Sequence, residues 1–404
     1  MGSARLANCP HQRSRKTPYA ISLVAVRRTV SAVTTDVLAL AEWLVVAGCT
    51  HVAMEGTGVY WLPIWNLLED RFTLLLVNAR HVKAVPGRKT DVKDAEWLAD
   101  LLRHGLLRGS FVPDREQREL RELTRYRTSL LRERAAEANR LQKTLEAANL
   151  KLASVVTDIT GKSGRAMLRA LIAGETEPTR LAALAEGRLR QKIPQLEQAL
   201  GGQFGVHQRF LVAQQLDHLD FLDERIAQVS AEIASRTQPL AATVAQLDTI
   251  PGVGQRTAEV LVAEVGTDMQ RFPTADHLAS WAGMCPGNHQ SAGQQRSGKT
   301  RKGSPWLRAA LAEAAQAAGR TKGSALQTQY RRLAARRGKQ RATVAVGHTI
   351  LRIVYHLLND PTGVYDERGT HDRAKRDRQA LERDLVRRLQ RLGNMVVLHP
   401  VGVT

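Results

Sequence analysis

Apolar positions recur with two different periods along this chain, and the change of period divides it. Near the start the pattern is short and mixed. "YAISLVAV", from Tyr19, reads as a strand, and "RRTVSAV" as its hairpin partner. "TTDVLALAEWLVVAG" follows as a helix, capped by Thr35 or Asp36 and ended at Gly48. "THVAME" alternates like a strand, a Gly-containing turn leads into the helix "VYWLPIWNLLED", and "FTLLLVNA" reads as a buried strand. A loop then precedes a helix that carries Asp91 and Asp94 at its start. Strands alternating with helices from about 19 to 110 predict an α/β domain.

Beyond residue 115 the period becomes that of a helix. Leu120, Leu123, Leu130, Leu141, Leu145 and Leu152 form one apolar stripe. Leu219, Leu222, Ile226, Val229 and Ile233 form another at strict three-four spacing. Two long helices with such seams predict coiled-coil packing, as an intrachain hairpin or between subunits, and helices inside one bundle fit equally well. A helical connection broken by Gly and Pro lies between them, over 160–205. The last third opens with "LDTIPGVGQRTAEVLVAEVG", where Pro251, Gly252 and Gly254 turn straight into a helix. That looks like a helix-hairpin-helix element, in which free N–H groups at a helix start grip phosphate without reading bases. An ordinary helix–helix turn is the alternative. A polar Gly/Ser loop comes next, followed by helices in "WLRAALAEAAQAA", "SALQTQYRRLAARR" and "TVAVGHTILRIVYHLLND".

Composition narrows the partners. Lys and Arg number 59 against 39 Asp and Glu, a formal net charge of +20. Self-repulsion on that scale favours a polyanion as partner, and nucleic acid comes first. No apolar run is long enough to span a bilayer, and the N-terminus has no signal-peptide pattern, so a cytoplasmic protein without membrane partners is expected. Cys9, Cys49 and Cys285 lie far apart with no CxxC pair, which argues against a zinc ribbon and a disulfide framework.

The acids are sparser and better placed. Asp91 and Asp94 are three residues apart at a helix start, which fits a capping pair. The same spacing puts two carboxylates on one helix face, where they could hold a hard cation. Glu55 ends the strand "THVAME", and in α/β sheets the ligand crevice lies at that end of the strands. Glu55, Asp91 and Asp94 are therefore expected on one rim. Mg²⁺ chemistry on phosphodiesters explains three converging carboxylates in a basic protein better than capping does.

"HVAMEGTGVYW", "LVNARHVKAVPGRKTDVKDAEWLADLL", "IPGVG", "WAGMCPGNHQSAGQQRSGKTRKGSPWLRAAL" and "ILRIVYHLL" together resemble the DEDD transposases of insertion sequences, insertion-sequence family one-ten. The resemblance runs in order over about 28–360. It implies α/β plus all-α architecture: a RuvC-like RNase H-fold domain, a coiled-coil middle, and a mostly helical C-terminal transposase domain. The corresponding expected segments are an atypical basic stretch 1–27, a DEDD domain 28–112 that could start near 19, a coiled-coil region 113–240, a transposase domain 241–362 and a charged tail 363–404. The implied activity is recombination that moves the element. The implied partners are element-end and target DNA, a structured noncoding guide ("bridge") RNA, and further copies of the chain in a dimer or tetramer. By the same resemblance Glu55, Asp91 and Asp94 are three of four Mg²⁺-binding acids, and Ser291 in "NHQSAG" is the nucleophile. Ser297 and Ser304 are competing serines in the same loop. No His/Asp triad is legible beside Ser291, so a metal-and-carboxylate activator, from this or another subunit, is expected. Arg296, Lys299, Arg301 and Lys302 are expected phosphate contacts alongside Gly252 and Gly254.

One member of the pattern is missing. The family's first acid stands on an early strand, yet here no Asp or Glu precedes Asp36, which fits a helix cap. The expectation is that residues 1 to about 27 derive from a shifted frame or a wrong start; an upstream locus encoding no Asp-bearing strand would exclude it. Two other readings stay open, a structure-selective RuvC-like endonuclease and a non-catalytic nucleic-acid-binding remnant.

Overall fold

The structure is a computed structural model that describes residues 3–4, 26, 28–56, 58–78, 94–287, 289–291, 294–367, 382–383, 385–393 and 395–397. It is mostly helical with small sheets, and it divides into two compact units, residues 1–115 and 116–404.

In the first unit, β1 (Ser3–Ala4) pairs antiparallel with β2 (Val30–Ser31). The strand expected over Tyr19–Val26 lies outside the described residues except for Val26. Helix α1 (Thr34–Val46) follows, and its N-cap is Val33, without a side-chain cap. This corrects the expected cap: Thr35 and Asp36 sit inside the first turn, where the Asp36 carboxylate still complements the helix dipole. Gly48, at φ +72°, takes the left-handed conformation that lets the Cys49 N–H reach back to the Leu44 carbonyl. Strand β3 (His51–Glu55), helix α2 (Trp61–Leu68) and strand β4 (Thr73–Val77) complete a βαβ unit. The strands pair in parallel register, from His51 opposite Thr73 to Glu55 opposite Val77.

Both faces of this pair are covered, which accounts for the near-continuous apolar run in β4. Val52, Met54, Leu74 and Leu76 pack with α1 and α2 through Val37, Leu44 and Leu68. On the opposite face Ala53, Leu75 and Val77 pack with Leu98 and Leu101 of α3 (Asp94–Arg103). Side chains alternate along a strand, so Glu55 shares its face with Ala53, the face covered by α3.

The second unit is built around two long helices. Helix α4 (Arg115–Ala147) contains no Gly or Pro, and its Arg, Glu, Leu and Ala content suits uninterrupted helix. It ends where Asn149 turns left-handed at φ +57° and the Leu150 N–H bonds the Leu145 carbonyl. The chain then forms a cap of short helices, α5 (Leu152–Val155), α6 (Lys162–Ala173), α7 (Pro178–Ala182) and α8 (Ile193–Leu200). It returns along α9 (Val206–Thr237). The pair is antiparallel: Leu120 meets Ile233, Leu130 meets Leu222 and Ile226, and Leu141 and Leu145 share a core with Leu216 and Leu219. The two leucine seams therefore close on each other within one chain.

A helical lobe follows: α10 (Ala241–Asp248), α11 (Gln255–Val265), α12 (Ala275–Trp281), α13 (Pro305–Ala318), α14 (Ala325–Arg337) and α15 (Lys339–Asn359). Its core joins Leu261, Leu278, Leu307, Leu311, Ile350 and Val354. Between α12 and α13 lies a feature read from the sequence as a loop. Residues 289–291 and 294–297 instead pair antiparallel as β5 (His289–Ser291) and β6 (Gln294–Ser297). Gly, Gln and Ser are weak strand formers, so only the backbone pairing discloses it.

Candidate catalytic hairpin and its supports

The expected nucleophile stands at a defined place. Ser291 is the last residue of β5, paired with Gln294, so it sits where the hairpin turns. Its side chain, like those of Arg296 and Ser297, lies outside the description. The hairpin base is held by the Pro286–Thr300 bridge and by the Gly287 N–H donating to the Lys299 carbonyl at 3.0 Å.

Two glycines that sequence reasoning missed fix that base to the lobe. A Cβ on Gly303 would lie 2.1 Å from the Ala282 carbonyl oxygen, and Gly283, at φ +68°, faces the Gly303 backbone. No side chain fits in either position. The available signal was the glycine on each flank of the motif, in "WAGM" and "RKGS". At the foot of the hairpin a groove of about 630 Å³ is lined by Met284, Gly303, Ala309 and Ala312, with Lys302 and Arg308 among its walls.

Of the competing serines, Ser304 has a structural task. Its Oγ accepts from the Leu307 N–H as the N-cap of α13 and donates to Glu264 Oε2 at 3.1 Å. Glu264 is only 2% exposed and is gripped by Arg125 Nε and Nη2, at 2.7 and 3.0 Å. One turn earlier on α11, Glu259 meets Arg127 at 2.6 Å, with both side chains 3% exposed. The C-terminal end of α11 is held as well: Gln117 and Arg121 donate to the Ala263 carbonyl at 3.0 and 2.9 Å, and Arg121 also bonds the Glu264 carbonyl. The Arg132 guanidinium lies 4.9 Å from the Trp306 ring centroid, tying α4 to the first turn of α13. The arginines of α4 thus fasten the elements that carry the hairpin.

The residues expected to contact phosphate divide. Arg301 and Lys302 are exposed beside the hairpin, and Lys299 is exposed at its base. Gly252, at φ +87°, is packed hard against α13: a Cβ would lie 2.4 Å from the Ala314 oxygen and the Ala318 nitrogen. Its structural role is this close helix approach. Gly254 is exposed and caps α11, so the N–H groups of the first turn of α11 start at the surface.

Near the hairpin base the Cys285 thiol is pushed above its ordinary range by burial and by Asp276, with Arg301 opposing. His348 on α15 is held below its ordinary 6.5 by burial and by Arg352, against the pull of Asp276.

In the first unit Glu55 ends β3, half-buried. Asp94 is the first residue of α3, its side chain outside the description, and Asp91 lies outside the described residues altogether. Leu98, one turn beyond Asp94, packs with Val77, the register partner of Glu55. Among the described residues no cluster of three His, Cys, Asp or Glu side chains forms a metal site.

Known proteins match along most of the chain. Residues 23–150 match a transposase domain model of the IS110 DEDD type, and residues 244–331 match the transposase IS116/IS110/IS902 family. A probable family 20 transposase of Pseudomonas aeruginosa is 29% identical over 320 residues, 77% of this chain and 84% of that one. The transposase for insertion sequence element IS1111A of Coxiella burnetii is 26% identical over 290 residues, 70% of each chain. A pilin gene-inverting protein of Moraxella bovis is 39% identical over 75 residues, 19% of this chain and 22% of that one.

Proposed function

We propose that this chain, which carries both domains of the IS110 family of insertion-sequence transposases, cuts and rejoins DNA through Ser291 as nucleophile. The observation that carries the reading is the hairpin. Ser291 stands at its turn, the base is clamped by glycine contacts that allow no side chain, and exposed cations flank it. Ser304, already committed to Glu264 and the cap of α13, is set aside as the nucleophile.

In the reaction the Ser291 Oγ loses its proton and bonds to phosphorus while the bridging P–O bond to the departing strand breaks. The departing oxygen takes up a proton as a free hydroxyl. A strand hydroxyl then attacks the same phosphorus and releases Ser291, so bond number is conserved and no external energy source is needed. Lys299, Arg301 and Lys302 hold the flanking phosphates, with Arg296 on β6 as a further contact. The exposed start of α11 after Gly254 offers N–H groups to another phosphate, while Gly252 sets the turn.

Glu55, Asp91 and Asp94 would hold Mg²⁺, which polarises the phosphoryl oxygens and stabilises attacking and leaving groups. The fit rests on hard oxygen donors, on Glu55 facing the side of the sheet that α3 covers, and on the packing of Leu98 beside Val77. A structured guide RNA and assembly into a dimer or tetramer complete the reading, supported by the family match and the +20 charge. The described residues contain no helix long and apolar enough to cross a membrane, and a cytoplasmic site of action accords with a DNA substrate.

A second reading, a nucleic-acid-binding chain without turnover, is favoured by one observation. No acid precedes Asp36, and Asp36 lies in the first turn of α1 instead of on a strand. Covalent capture separates the two. Protein, element RNA, Mg²⁺ and labelled junction DNA are run on a denaturing gel beside Ser291→Ala. A shifted band lost in the variant supports serine chemistry. Cleaved DNA without a band points to hydrolysis by a RuvC-like endonuclease, and intact DNA points to the non-catalytic chain.

A further inference from the structure

The groove at the foot of the hairpin has a make-up that the serine chemistry does not use. One wall is a single face of α13, where Pro305, Arg308, Ala309 and Ala312 stand at spacings of three, four and seven residues. Ala309 and Ala312 put only methyl groups on that face, and the space beside Val344 of α15 stays open, with a volume of about 630 Å³. No acid lines it.

Two cations stand at its edge. Lys302 is exposed and Arg308 is half-buried. Arg308 Nη2 donates to Thr300 Oγ1 at 3.1 Å, and Nη1 donates to the Arg301 carbonyl at 3.4 Å. Both acceptors are uncharged, so the guanidinium is held in place while its charge stays uncompensated. Among the described residues neither Lys302 nor Arg308 forms an ion pair. Thr300 pairs with Pro286 at the hairpin base, so Arg308 is tied to the point from which β5 and β6 rise.

An apolar floor with cations at its edge is complementary to an amphipathic anion, and a nucleotide has that form: a flat base carried on a phosphate. We infer that this groove takes one unpaired nucleotide of the DNA strand attacked at Ser291. The base lies against Ala309, Ala312 and Val344, and its phosphate meets Lys302 and Arg308. The volume falls within the range of about 300–1,000 Å³ that encloses a small-molecule-sized group, which admits a nucleotide and excludes a duplex. A base inside a duplex is stacked on both faces and must leave the stack to enter such a pocket. Exchange of strands at a cut unpairs bases there. The inference rests on the proposed function for its DNA substrate and for the place of Ser291, and adds what holds the strand beside it.

The test uses the full chain carrying Ser291→Ala, so that cutting has no part in the result, and a labelled DNA junction with one strand unpaired. The base alone is removed from each unpaired position in turn. At one position the parent should bind roughly tenfold more weakly, equivalent to losing about 60 Å² of buried apolar surface. Ala312→Leu fills the groove, so it should bind the intact strand roughly tenfold more weakly and be indifferent to the missing base. Its salt dependence should be that of the parent. Lys302→Gln leaves the groove open and removes a phosphate contact, so the slope of log K against log salt should become shallower by about 0.7. Arg308→Lys should keep the slope. Thermal melting checks that Ala312→Leu stays folded, and Ala309→Val decides if it does not. A groove-filled chain that binds like the parent, or still senses the missing base, overturns the inference. So does a loss confined to structured RNA with DNA binding intact. A parent that binds no DNA defeats the functional reading and the inference with it.

Discussion

Helices α4 and α14 are both rich in arginine, yet they use it in opposite ways. In α4 the guanidiniums turn inward or sideways onto acids: Arg127 to Glu259, Arg125 to Glu264, Arg134 to Asp223. In α14 four arginines stand in a stretch with no acid for more than a dozen residues on either side. The first set fixes the geometry of the lobe that carries Ser291, while in the second Arg331 and Arg336 stand exposed and make no ion pair among the described residues. A net charge of +20 therefore does not by itself locate a phosphate grip. Where the fold sets an acid against a cation matters more, because a buried ion pair has already neutralised its arginine.

The sharpest way to break this comparison is to truncate one arginine from each helix. Arg127→Ala strands the Glu259 carboxylate in an interior site and should cost about 3–5 kcal/mol in denaturant unfolding of the full chain. Arg336→Ala, on an exposed face, should stay within about 0.5 kcal/mol. Equal losses would show that the two sets are not distinct. Replacing the buried pair together, Arg127→Met with Glu259→Leu, should recover most of the stability, since no charge is then left unpaired.

Next in size is Gly303→Ala. Its Cβ would meet the Ala282 oxygen at 2.1 Å, so the hairpin base must shift. We expect a loss of about 1–3 kcal/mol by calorimetry and a larger fall in covalent capture than Arg336→Ala produces. Full capture at reduced stability would show that the base does not position Ser291.

Ser304→Ala removes a helix cap and one bond to Glu264, and about 1 kcal/mol should disappear in the same unfolding assay. Covalent DNA capture should survive it, in contrast to Ser291→Ala. Loss of the adduct with Ser304→Ala but not with Ser291→Ala would exchange the roles assigned to the two serines.

These experiments probe features that were unequally legible. The leucine seams of α4 and α9 and the paired strands β3 and β4 follow directly from period, since each element has one or two buried faces. Thr35 and Asp36 are good capping types and draw the expected cap of α1 to themselves, while the chain enters through Val33. The Ser291 hairpin looks like a loop in sequence because its residues have little strand propensity, while the close backbone contacts of Gly283 and Gly303 at its base appear only in the fold. The inward arginines of α4 look identical to solvated ones in sequence. Their partners, Glu259 and Glu264, are more than 130 residues away, and only the fold brings them together.

The smallest expected effect is one of slope. The His348 pKa is depressed in the fold, first by burial and then by Arg352. The unfolded chain therefore binds a proton that the folded chain refuses, so stability is full above about 6.5 and declines as pH falls toward the depressed value. His348→Gln should flatten that decline in thermal melts between about pH 7 and 5. An unchanged profile would remove His348 from the balance, and proton NMR of its ring would show whether its titration is ordinary.

The central claim, Ser291 as the DNA-linked nucleophile, is tested most directly by mapping the adduct. Trapped complex is digested with nuclease and protease, and the modified peptide is sequenced by mass spectrometry. A nucleotide phosphate on Ser291 is the expected result. The same mass on Ser297 or Ser304, or cleaved DNA with no modified peptide, would contradict it.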